Sequence, residues 1–196
     1  MIEGIDVSEF QGEIDFAAVK AAKAFVFARA SDGLYADARF AGNHDECRAQ
    51  DLPFGVYHFF RARHGRQQIA FFAELTKDRL GTLLPMLDVE EASFDGDSSS
   101  VNDRLTTIRL CTQAIEELLA PGELCLIYTN QDTWNNYLGG SDAFAGHPLW
   151  LAGVPMPGGF TREPVIKQYA LGVVPGITGQ VDLDQSPSLS PLERAQ

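Results

Sequence analysis

Residues 148–184 read PLWLAGVPMPGGFTREPVIKQYALGVVPGITGQVDLD, and this stretch decides the fold. It holds short apolar runs at Pro148 to Ala152, Pro164 to Tyr169 and Gln180 to Asp184, parted by Gly- and Pro-rich loops. None of those loops has room for a crossover helix of a parallel connection. Upstream the rhythm differs. Apolar runs at Ile2 to Val7, Ala24 to Ala30, Pro53 to Phe60, Leu83 to Val89 and Leu124 to Tyr128 each precede a stretch with helical spacing. Those stretches run from Asp15 to Ala22, Arg39 to Gln50, Arg66 to Leu80, Val101 to Leu119 and Asp132 to Leu138. Repeated strand–helix units imply parallel strands. The predicted fold is therefore α/β, an irregular TIM-like (β/α)5β3 barrel in a single domain, with its last third lacking a helical coat. An open doubly wound sheet is disfavoured, because no Gly-rich phosphate turn follows an early strand. The domain is placed at residues 1–186, followed by a polar, Ser/Pro-rich and poorly ordered tail at 187–196.

Charge narrows the range of partners. Among 196 residues, 27 acidic and 15 basic side chains leave a formal net charge of −12. That balance argues against a nucleic-acid backbone or an anionic membrane surface as the main partner. No apolar run reaches the roughly 20 residues that span a bilayer, and the N-terminus shows neither the basic nor the apolar region of a signal peptide. Cys47, Cys111 and Cys125 match no metal motif and no disulfide framework, and are expected to pack as small hydrophobes. His44, His64 and His147 sit in polar or loop surroundings and suggest no metal cluster.

A few acids interrupt apolar strands, where a surface charge does not belong. Asp6 lies in Gly4-Ile5-Asp6-Val7-Ser8, Asp88 and Glu90 in PMLDVEE (85–91), and Asp182 and Asp184 in QVDLD (180–184). Successive strand side chains face opposite ways, so Asp88 and Glu90 share one face while Leu87 and Val89 share the other. All these acids fall at the C-terminal ends of their predicted strands, where a closed α/β barrel collects its chemistry. Clustered carboxylates raise at least one pKa. A protonated acid beside an ionised one is the pair that glycoside cleavage requires, a proton for the leaving oxygen and an anion facing an oxocarbenium-like centre. Tyr57, Tyr128, Trp150 and Tyr169 near the same strand ends would offer flat faces to sugar rings. Taken singly, each acid also reads as a turn or helix N-cap residue, and Asp184 and His58 read as structural. A divalent cation is the weaker use for the acids, since only His58 joins them at a strand end.

With these residues assembled, the chain resembles glycoside hydrolase family 25, the Chalaropsis-type lysozymes or N-acetylmuramidases. The matching pieces are GIDVSEFQGEIDF (4–16), FVFARASDG (25–33), PFGVYHFF (53–60), PMLDVEE (85–91), LIYTNQDTW (126–134), PLWLA (148–152) and KQYALGVVPGITGQVDLD (167–184). They run in the family's order from Gly4 to about Ser186. The resemblance implies a flattened (β/α)5β3 barrel. It also implies retaining hydrolysis of the β-1,4 bond between N-acetylmuramic acid and N-acetylglucosamine in peptidoglycan, at the bacterial cell wall. By position, Glu90 corresponds to the general acid/base, Asp88 to its partner in the DxE arrangement, and Asp6 and Asp182 to the remaining cleft acids. Participation of the substrate's 2-acetamido group is expected, with Asp88 orienting it. Lys167 and Gln168 join the substrate-binding set. Lys167 stands where the family often has Trp, and Arg29-Ala30-Ser31-Asp32-Gly33 stands where it has Lys-Ala-Thr-Glu-Gly. No cofactor, no metal and a monomer are expected. A catalytically silent glycan-binding module on the same scaffold is the alternative reading.

Overall fold

The computed structural model describes residues 1–195; Gln196, the last residue of the predicted tail, lies outside the described residues. The strands are β1 (Ile2–Val7), β2 (Phe25–Asp32), β3 (Tyr35–Ala36), β4 (Phe54–Phe59), β5 (Met86–Asp88), β6 (Leu126–Thr129), β7 (Leu149–Ala152), β8 (Ile166–Gly172) and β9 (Val181–Ser186). The helices are α1 (Phe16–Ala22), α2 (Phe40–Ala49), α3 (Gln67–Thr76), α4 (Val101–Glu116) and α5 (Gln131–Leu138). Hydrogen bonding runs in the order β1-β9-β8-β7-β6-β5-β4-β2, and β1 pairs with β2 to close the ring. The two-residue β3 is only a flap on β2. Five strand–helix units and three uncoated strands make a closed, eight-stranded α/β barrel, the architecture read from the rhythm of the chain.

One strand direction was not legible in that rhythm. β9 runs antiparallel to both of its neighbours, with Asp6 opposite Asp182 on β1 and Gln168 opposite Asp184 on β8. The remaining pairs around the ring are parallel. Asp182 therefore sits at the N-terminal end of its strand, and the expectation that every acid marks a strand C-terminus is corrected. The reversal is what carries Asp182 to the same mouth as Asp6. A parallel β9 would have placed it at the opposite end of the barrel.

Alternation along the strands sorts the apolar side chains into two layers. Phe25, Phe27, Tyr57, Met86, Leu126, Tyr128, Trp150 and Ile166 fill the barrel interior. Ile5, Val26, Ala28, Val56, Leu87 and Ile127 face outward and pack under the helical coat. The phenylalanines of β2 fit because glycine stands beside them. A Cβ on Gly4 would lie 2.2 Å from the Phe25 ring, and one on Gly55 would lie 2.3 Å from that of Phe27. Helix starts follow local chemistry: Asp15, Ser100 and Asn130 accept hydrogen bonds from the first turns of α1, α4 and α5.

The C-terminal tail corrects a second expectation. Residues 187–195 pack across the end of the barrel remote from the mouth. Leu192 is fully buried in the interior layer with Leu189 against it. The Leu84 amide donates to the Leu192 carbonyl at 2.7 Å, and the Arg194 amide to the Thr82 carbonyl at 3.0 Å. The leucine pair, spaced like one turn of helix, closes a barrel end that would otherwise expose aromatic surface.

Candidate active site

The first strand ends in Asp6-Val7-Ser8, and Ser8 caps a short 3-10 turn, Glu9–Gln11, in a capping box with Gln11. Gly12 follows with φ of 67°, a left-handed value that glycine adopts without strain. This turn folds the chain back over the mouth of the barrel. Below it opens a cleft of about 200 Å³ lined by Asp6, Asp88, Glu90, Asp182, Tyr57, Tyr128 and Gln168, with Phe10, Arg29 and Phe59 at its wall. The four acids that the sequence singled out meet here. Asp6 comes from β1, Asp88 from the end of β5, Glu90 from just beyond it, and Asp182 from the start of β9.

Electrostatics divide their roles. Asp88 is only 7% exposed, and its Oδ1 has no hydrogen-bond partner. Burial, reinforced by Glu90 and Asp6, pushes its carboxyl well above the ordinary carboxylate range, against the pull of Arg29. Burial and Asp182 push Asp6 up to about 7. Gln168 Nε2 donates to Asp6 Oδ2 at 3.1 Å, and Tyr128 Oη donates to Gln168 Oε1 at 2.9 Å, so one chain of hydrogen bonds fixes three lining side chains. Burial also raises Glu90, while the nearby Arg61 guanidinium pulls it down. Arg61 is itself clamped by Asp32, at 2.5 and 2.7 Å. Burial raises Asp182 as well.

Asp184, expected to be structural, lies beneath Asp6 and is fully buried. Trp150 Nε1 donates to its Oδ1 at 3.1 Å. Burial and the neighbouring Asp6 raise it well above its usual value, and its Oδ2 has no hydrogen-bond partner. The acid cluster opposes folding at neutral pH. A carboxyl whose native pKa is raised contributes fully below its unfolded value near 3.8, and that contribution is lost as pH rises through about 7. Asp6→Asn, which mimics the protonated form, is therefore expected to gain roughly 1–3 kcal/mol over the parent between pH 4 and pH 8. Thermal unfolding at the two pH values checks this; an equal offset at both would refute it.

Several side chains expected to bind substrate lie elsewhere. Trp150 is fully buried inside the barrel, edge-on to Phe27 at 4.7 Å and to Tyr128 at 5.8 Å, and offers no open face. Lys167 and Tyr169 flank Gln168 on β8 and project from the opposite pleat, outside the barrel. Lys167 Nζ lies 3.6 Å from Glu163, and the Tyr169 phenol lies against Glu3. Tyr57, Tyr128 and Gln168 do line the cleft. His58 points away from it, held by Ser31 Oγ at 2.8 Å and Gln68 Oε1 at 2.9 Å, and burial lowers it to about 4 so that it stays neutral.

Reading the sequence missed Phe10 and the arginines. Phe10 is 78% exposed yet stands on the cleft wall, with the Arg29 guanidinium 4.9 Å from its ring centre. An exposed aromatic there is a ready face for a sugar ring. Its signal was an aromatic in the tight turn directly after Asp6. Arg29 is buried between Asp37 at 2.9 Å and Glu9 at 3.2 Å, the one cation among the described residues that line a cleft otherwise rich in acid.

The profile of Glycosyl hydrolases family 25 matches residues 5–164 of the chain. Lysozyme M1 of Streptomyces globisporus is 32% identical over 200 residues, covering 92% of this chain and 66% of its own length. The autolytic lysozyme of Clostridium acetobutylicum is 29% identical over 192 residues, covering 94% of this chain and 55% of its own length. The chain thus spans less than two thirds of the length of these curated relatives. The crystal structure of the bacterial lysozyme from Streptomyces coelicolor superposes with a TM-score of 0.83 at 27% identity, covering 95% of this chain and 92% of that one. With a closed eight-stranded barrel, an acid cluster at its mouth and a profile match over most of its length, the chain belongs to glycosyl hydrolase family 25.

Proposed function

We propose that this protein is a muramidase, cleaving the β-1,4 bond between N-acetylmuramic acid and N-acetylglucosamine in bacterial peptidoglycan. It acts at the cell wall, as a monomer and without a cofactor. The names of its relatives, lysozyme and autolytic lysozyme, support the substrate. The observation that carries the reading is the pairing of a buried Asp88, with one oxygen unpartnered, and a partly exposed Glu90 two residues on. In this mechanism Glu90, whose pKa burial raises, gives its proton to the leaving glycosidic oxygen and later removes one from the incoming water. Asp88 accepts the N–H of the 2-acetamido group through its free Oδ1 and turns the amide oxygen toward the anomeric carbon. That oxygen attacks as the glycosidic bond breaks, and water then opens the cyclic intermediate, so configuration is retained. Asp6 and Asp182 set negative charge against the developing positive ring. Phe10 supplies a stacking face.

Mass spectrometry of digested peptidoglycan tests the assignment. Fragments ending in reducing N-acetylmuramic acid are expected; reducing N-acetylglucosamine ends, or wall binding without cleavage, would overturn it. The charge of −12 repels polyanionic wall polymers. Activity on teichoic-acid-rich walls is therefore expected to rise from low to moderate salt as screening sets in. A monotonic fall over that range would count against this.

A further inference from the structure

The remote end of the barrel holds a second cluster of side chains with chemistry in them. Glu116 ends α4, Cys125 immediately precedes β6, and His147 lies in the loop before β7. These three come from separate segments, yet their ligating atoms all lie within 4.8 Å of one another, the one such group among the described residues. His147 Nδ1 stands 3.4 Å from Glu116 Oε1. A tetrahedral metal bound at roughly 2.1 Å by both atoms would separate them by about 3.3–3.4 Å. Cys125 is fully buried, while the side chains of Glu116 and His147 are 20% and 12% exposed, leaving an edge open for a water as fourth ligand. The Cys125 amide also donates to Glu116 Oε1 at 3.4 Å, so the backbone of one contributor orients the carboxylate of another.

We propose that Glu116, Cys125 and His147 form a zinc site that clips the end of α4 to the starts of β6 and β7. The donor set of one sulfur, one imidazole nitrogen and one carboxylate oxygen suits a borderline-soft, tetrahedral divalent ion. Charge balances. The thiol gives up its proton to solvent on binding. The His147 proton, which Nδ1 points at the Cys125 carbonyl at 3.3 Å and at Glu116, shifts to Nε2 to free Nδ1 for the metal. One thiolate with one carboxylate neutralises the dication. The site is far from the cleft acids and takes no part in glycan cleavage. Its role is to hold together a barrel end that backbone pairing alone leaves to short strands.

Zinc and cobalt titration of the chelator-stripped, full-length protein tests this. One zinc per chain is expected, with micromolar or tighter affinity, one proton released per ion, and a concentration-dependent rise in thermal unfolding temperature. Cobalt should show a thiolate charge-transfer band and the intense visible bands of tetrahedral geometry. Cys125→Ser should abolish the charge-transfer band. Glu116→Gln, which keeps the side chain's shape, should weaken zinc binding by more than the roughly 10–100-fold typical of losing a mere supporting group. No stoichiometric uptake by the folded parent would overturn the site, leaving the triad a hydrogen-bonded cluster only. Cobalt bound without the thiolate band, or equally well by both variants, would overturn it too.

Discussion

Glu90→Gln is expected to cut the release of reducing ends from purified peptidoglycan by about 10²–10⁴-fold while leaving the fold intact. The size of the effect follows from what the residue supplies. Glutamine keeps the length and planarity of the side chain, so the backbone bond from Glu90 N–H to Ser93 Oγ at 3.0 Å, which sets the turn after β5, is untouched. What disappears is a transferable proton. Arg61 and the burial of the site act on Glu90 in opposite directions, and burial dominates, so in the parent the proton is held into a range where a surface glutamate has lost it. KM should change little, because the loss falls on the transition state and not on substrate binding. Circular dichroism and thermal unfolding check the fold. Retained turnover in a folded variant would remove Glu90 from the proposed role, and a loss matched by unfolding would mean that the residue is structural.

Asp37→Ala is expected to destabilise the protein by about 3–5 kcal/mol, toward the lower end of that range. The Asp37 side chain is wholly buried and holds Arg29 Nε at 2.9 Å. It also accepts from the Glu9 amide at 3.0 Å and from the Arg39 amide at 2.9 Å. Removing it strands a guanidinium whose side chain is only 8% exposed. Two things soften the loss. Glu9 remains within 3.2 Å of Arg29, and the Phe10 ring lies against the guanidinium. Asp37→Asn keeps an acceptor for one of the two amides, which bond different oxygens of the carboxylate, and should cost less than alanine. Because Arg29 lines the cleft and draws Asp88 toward ionisation, activity should fall in both variants even below their unfolding temperatures. Urea unfolding with assays at low temperature separates the two effects. A cost under about 1 kcal/mol would mean that the pair behaves as an exposed ion pair, contrary to its burial.

These expectations rest on a site that was only partly legible in the chain. Asp88 and Glu90 could be placed on one face from their spacing, because side-chain direction in a strand has a period of two residues and needs no tertiary information. Asp6 was legible for a similar reason, as a charge at the end of an apolar run. Phe10 was not, since exposure is set by where a turn lies against the rest of the barrel. The pairing of Arg29 with Asp37 depends on how the chain returns after the β3 flap, and no local pattern encodes it.

The same division runs through the whole protein. By itself the sequence determined the strand–helix rhythm, the uncoated last third and the acids that share a strand face, all of which follow from hydrophobic periodicity and chain length between runs. Only the tertiary structure decided that β9 runs backward, which brings Asp182 to the mouth and leaves Asp184 buried beneath Asp6. It also placed Trp150 inside the barrel and Lys167 and Tyr169 outside it, folded the tail under the barrel, and gathered Glu116, Cys125 and His147 at its far end. The reason is common to all of these. Alternation tells which side chains share a face, but whether that face looks inward, and what meets it there, is fixed by ring closure and by contacts between residues far apart in the chain.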